Sequence, residues 1–104
     1  MYADTRGEVV VIATAVGVDA QGELHRLSLP AIARTDDPLI AEARVDQAIR
    51  QGRAADLCAE IARRVASGLS AVEVVEERHN VVARASGHPS LLGRVVHARC
   101  AVDR

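Results

Sequence analysis

From Val9 to Val18 the chain reads VVVIATAVGV, a run of β-branched and small aliphatic residues interrupted only by Thr14. A strand with one wet face alternates apolar and polar positions. One that does not must be covered on both faces. The segment Gly7 to Asp19 therefore commits the fold to a strand set inside a sheet. The turn chemistry of Asp19-Ala20-Gln21-Gly22-Glu23 follows, with Gly22 free to take a positive φ. Leu24 to Ile32 (LHRLSLPAI) then alternates, Leu27 and Leu29 on one face against Arg26 and Ser28 on the other. The two segments read as a long hairpin.

The period then changes. Thr35 to Gly52 opens with a helix start signal, because Asp37 can cap and Pro38 suits the first helical position. Its apolar stripe is thin: Ile40, Ala41, Val45, Ala48 and Ile49. Arg53 to Leu69 carries a fuller one at Ala54, Leu57, Cys58, Ile61, Ala62, Val65 and Leu69. Gly68 is its natural terminator, and Glu60 can pair with Arg64 one turn on. Strand patterns return in Ala71 to Ala85 and Gly93 to Asp103, joined by SGHPSLLG. In the last strand Val96, Ala98, Cys100 and Val102 share a face opposite His97, Arg99 and Asp103. The order ββααββ predicts an α+β fold in which an antiparallel four-stranded sheet carries two helices on one face. At 104 residues the chain, 1–104, is expected to be one domain.

There is no Phe, Trp or Lys, and Tyr2 is the sole aromatic residue. The core must be built from Val, Leu, Ile and Ala. A planar ligand would have to lie on arginine or aliphatic side chains. A net charge of −1 offers no electrostatic footprint for nucleic acid or an anionic membrane. No apolar run approaches the roughly 18 residues of a membrane span, and the N-terminus lacks the regions of a signal peptide, so the expected location is cytoplasmic. Cys58 and Cys100 are too few for a disulfide framework and are expected as buried thiols.

The most informative stretch is VEVVEERHNVVARA, Val72 to Ala85. Alternation puts Val72, Val74 and Glu76 on one face, so Glu76 continues a buried side, where a carboxylate is costly unless paired. His79 has the opposite parity and meets Glu76 only through a bulge or a strand end. Periodicity alone favours Glu76 to Asn80 as the solvated end of the strand.

EERHNVVARA resembles the E-S-I-H-N-H-x-A-x-A segment of the type IB GTP cyclohydrolases, with Glu76, His79, Asn80, Ala83 and Ala85 in register. TDDPLIAEA is similar to that family's P-D-E-k-y-V-t-E-r-A at Asp36, Asp37, Ile40 and Glu42. ADLCAEIA resembles its E-D-L-v-R-d-v-A helix at Asp56, Leu57, Glu60 and Ala62. The likeness spans Thr35 to Ala85. It implies the tunnelling fold (T-fold) shared by these cyclohydrolases and dihydroneopterin aldolase, whose members assemble into oligomeric barrels with purine or pterin sites between subunits. By that resemblance Glu76 and His79 are the expected catalytic pair. Asp56, Glu76 and Asn80 bind the heterocycle, and His79 ligates zinc or another divalent metal. The expected function is a pterin- or purine-binding protein, catalytic as a cyclohydrolase-like hydrolase or aldolase-like lyase. The alternative is a non-catalytic oligomeric scaffold or partner subunit. The family's second motif histidine is Val81 here and its purine-holding acid is Ala55, and the upstream half that supplies metal ligands there has no counterpart. Cys58, His88, His97 and Cys100 are the reserve ligands.

Overall fold

The structure, a computed structural model, describes residues 9–65, 68–81, 84, 87 and 90–102. The elements in chain order are β1 (Val9–Asp19), β2 (Leu24–Arg26), α1 (Leu29–Ala33), α2 (Pro38–Arg50), α3 (Ala54–Arg64), β3 (Leu69–Asn80) and β4 (Leu91–Ala101). All strand pairs are antiparallel, and the sheet order is β2-β1-β3-β4. The expected α+β architecture is present, with helices on one face of a four-stranded antiparallel sheet.

The β1–β2 turn forms as its residues dictate. Gly22 takes φ 84°, and the Asp19 carboxylate accepts from the backbone N–H groups of Gln21 and Glu23, both at 2.9 Å. The second strand is much shorter than its alternation predicts. It ends at Arg26, because Ser28 caps a new helix by accepting from the N–H of Ala31 at 3.4 Å and Pro30 occupies the first turn. Leu27, Leu29 and Ile32 still reach the core, but two of them do so from a helix. A period of two over a few residues does not separate a strand from a capped turn.

The carbonyls at the end of α1 are taken up by arginines. Arg64 donates to Ala31 O at 2.9 Å and Ile32 O at 3.0 Å, and Arg44 donates to Ala33 O at 3.2 Å. α2 starts where expected: Asp37 caps, accepting from Leu39 N at 2.9 Å, and Pro38 leads. Its buried stripe is narrower than predicted, Ala41, Val45 and Ala48, while Ile40 stays exposed. α3 buries Ala54, Cys58 and Ile61, with Leu57, Ala62 and Val65 packed alongside. Leu69 belongs to β3 instead, and its methyls lie against Gly17, where a Cβ would sit 2.6 Å away.

The core lies between the helices and one sheet face, from Ala13, Ala15, Val72 and Val74 to Ala98 and Cys100. Cys58 and Cys100 are joined in a disulfide across it, with Cα atoms 6.1 Å apart, so the buried thiols expected from sequence are one cross-link from α3 to β4. Two residues 42 apart in sequence carry no sign that helix and strand will set them face to face.

The all-apolar β1 run is buried from Ala15 to Val18, but Val9, Val10 and Val11 are exposed. There the strands run on past the buried helix-side core. β4 carries the bulge that its alternation concealed. Val74 pairs with Ala98 and Val75 with Val96, leaving His97 as the extra residue. Val96 is thereby turned away from the face of Ala98 and Cys100 and is 49% exposed.

Candidate functional site

β3 keeps an unbroken register with β1 from Val9–Asn80 to Val18–Ala71, so its alternation is regular through the ionisable stretch. Glu76 and His79 consequently project from opposite faces and do not meet. The irregularities that could bring them together fall in β4, not β3.

Each instead has another partner. Glu76 Oε1 lies 2.8 Å from Nε2 of His97, the bulged residue, and its side chain is 31% exposed. His79 is buried on the other face. Its Nδ1 lies 2.7 Å from Ser90 Oγ and its Nε2 lies 3.0 Å from Glu77 Oε1. Glu77, 1% exposed, also accepts from Arg26 Nη2 at 2.9 Å, and Arg26 reaches it from β2 across β1. Burial pushes the Glu77 carboxyl up, but the hydrogen bonds from His79 and Arg26 outweigh it and hold it below the ordinary glutamate value. Arg94 Nε sits 3.7 Å from Glu77 Oε2, too far for a hydrogen bond, and both atoms are buried without a hydrogen-bond partner among the described residues. Arg99 pairs with Glu73 at 2.7 Å farther along the same face.

Asn80 ends β3, its backbone N–H donating to Ser90 O at 2.8 Å. Asp56 lies elsewhere, in the first turn of α3, and lines a cleft of about 300 Å³ between α1, α2 and α3. Arg34, Arg44, Arg53 and Arg64 surround that cleft with Asp56 and Glu60, over a floor that includes Ile32 and Leu57. Arg34 holds a left-handed φ of 59° at the end of α1. Arg53 stands at the start of α3, which has no side-chain cap. Arg44 and Arg64 are committed to the α1 carbonyls; the side chains of Arg34 and Arg53 have no hydrogen-bond or ion-pair partner among the described residues. The four expected site residues thus occupy three places. Asp56 is in the helical cleft, Glu76 is on one sheet face, and His79 with Asn80 is at the far end of β3. Sequence reasoning passed over Glu77 and Ser90, although Glu77 shares the parity of His79.

A divalent metal does not fit the residues proposed for it. Cys58 and Cys100 are bonded to each other, His97 is engaged with Glu76, and both nitrogens of His79 are in use. His88, Ala83 and Ala85 lie outside the described residues. The described residues do bring Asp19, Glu23 and His25 together, with donor atoms within 4.8 Å of one another. The turn itself accounts for that cluster: the Asp19 carboxylate clasps the hairpin, with His25 Nε2 at 2.7 Å, and that bond draws its carboxyl below the usual range.

Comparison with family models, with curated proteins and with solved structures found no match to this chain. No helix among the described residues is long and apolar enough to cross a membrane.

Proposed function

We propose that this chain is a metal-independent binding protein for a purine- or pterin-like heterocycle bearing an anionic group, assembled as a homo-oligomer on a tunnelling-fold-like sheet. The observation that carries the reading is the arginine cleft. Arg34 and Arg53 bring two uncommitted guanidinium groups to one opening, and Asp56 supplies a carboxylate beside them. Guanidinium groups take a phosphate or carboxylate in paired hydrogen bonds and offer a flat face for a ring to stack on. A carboxylate accepts from the N–H edge of a guanine or pterin. The cleft volume is at the low end for small-molecule sites, which suits one ring system and its charged group. In a chain without Phe or Trp, this is where a planar ligand has something to lie on.

The non-catalytic role is favoured over cyclohydrolase chemistry by the engagement of every described histidine and cysteine considered as a ligand. Calorimetric titration with GTP, neopterin and inorganic phosphate, each with and without zinc, tests the reading. Saturable binding of GTP or neopterin, indifferent to zinc and weakened about tenfold or more by Arg53→Ala or Asp56→Ala, is the expected result. No saturable binding at millimolar ligand, or binding that requires zinc, overturns it.

A further inference from the structure

We propose that Ser90, His79 and Glu77 form a nucleophilic site that accepts the acyl group of an activated ester. It is separate from the arginine cleft and does not depend on the reading given to that cleft. The three side chains form one relay, Ser90 Oγ to His79 Nδ1 at 2.7 Å and His79 Nε2 to Glu77 Oε1 at 3.0 Å. An ionised Glu77 can only accept, so Nε2 carries the hydrogen and Nδ1 is left as the acceptor facing the serine hydroxyl. That is the arrangement a general base needs. Glu77 is 1% exposed and His79 5%, whereas Ser90 retains partial exposure, so the buried end orients and the outer end can react.

The chemistry closes without a co-reactant other than water. Ser90 Oγ bonds to the ester carbonyl carbon as its proton passes to His79 Nδ1. The imidazolium so formed lies against the buried Glu77 carboxylate, where low dielectric strengthens the attraction. The tetrahedral intermediate expels the alcohol or phenol oxygen, which takes the proton back from Nδ1. Water then repeats the cycle on the acyl-serine, releasing the carboxylic acid and restoring the hydroxyl.

One further observation points to a ligand rather than a closed structural network. Val10 and Leu91, the cross-strand neighbours of His79, are 36% and 45% exposed and offer an apolar seat for a short acyl chain.

The composition makes the test unusually clean, since the chain has no lysine and both cysteines are in the disulfide. Two of the usual competitors for an activated ester, the lysine amine and the free thiol, are therefore missing. Incubation of the full chain with p-nitrophenyl acetate near neutral pH, followed by peptide mass mapping, should find the acetyl group on Ser90. Ser90→Ala should lower nitrophenolate release at least tenfold. Glu77 acts through His79 as a positioning residue. Glu77→Gln should lower nitrophenolate release about tenfold with Ser90 in place, and Glu77→Asp, which keeps the anion, should recover part of it. A purely structural carboxylate would leave the rate per folded molecule unchanged. Acetyl found only on other residues, or release by Ser90→Ala equal to that of the unaltered chain, overturns the proposal; the mapping decides even if a variant folds poorly.

Discussion

Glu77 has almost no contact with water, yet its carboxyl is held in the ionised form by His79 and Arg26. A carboxyl whose value is lower in the folded chain than in the unfolded one stabilises the fold fully above the ordinary glutamate range. That stability is lost as pH falls through the folded value, since the unfolded chain then binds the proton more readily. Urea melts between pH 7 and pH 3 should show stability declining through the carboxylate range. Glu77→Gln should flatten part of that decline and cost about 1–3 kcal/mol at pH 7, the usual loss for a charge-assisted hydrogen bond with one exposed partner. An unchanged pH slope in the variant would show that the network does not carry the effect. Sequence placed His79 and Glu76 on opposite faces of one strand, and that parity survived. The partners could not be read from it. His97 reaches Glu76 only because it is the bulged residue of β4, and Ser90 reaches His79 only through the return of the chain into β4. Resemblance directed attention to Glu76, while geometry gives the buried role to its neighbour.

α3 and β4 are tied covalently as well as by packing. In the chain-entropy account, closing a loop of 42 residues restricts the unfolded ensemble by about 4 kcal/mol. Reduction with dithiothreitol should therefore lower the denaturation midpoint markedly, and Cys58→Ala should match it within error because the same link is lost; a midpoint indifferent to reduction would count against the bridge. Such bonds persist in oxidising compartments. The bridge and the expectation of a cytoplasmic location consequently pull apart, and thiol trapping in freshly lysed cells would show which holds. The elements with several independent signals were legible: α2 had a cap, a proline and a stripe, and α3 had a wide stripe. β2 failed because four alternating residues and a serine-proline pair support two structures equally, and Ser28 chose the helix.

The molecule is long for its size, 52 × 31 × 23 Å, because β1, β3 and β4 run on beyond the buried helix-side core. Val9, Val11, Leu91 and Leu92 on this extension, and Val95 and Val96 farther along β4, are exposed by 37–57%, and β4 offers an open edge among the described residues. Native edges are usually guarded by free charges, but here Arg94, His97 and Arg99 are drawn toward Glu77, Glu76 and Glu73 of β3. The proposed homo-oligomer would join along β4. Sedimentation should find a species heavier than the 11.0 kDa chain, and Val96→Lys should dissociate it. A wild-type chain sedimenting solely at 11.0 kDa would refute the assembly. The sheet order has one more consequence. β1 pairs with β2 at only three positions, while its long partner is β3, roughly 50 to 70 residues later. During synthesis the most aliphatic strand of the chain therefore waits, almost unpaired, until Leu69 to Asn80 has left the ribosome. For that interval its safety rests on slow aggregation or on a chaperone rather than on its own hairpin.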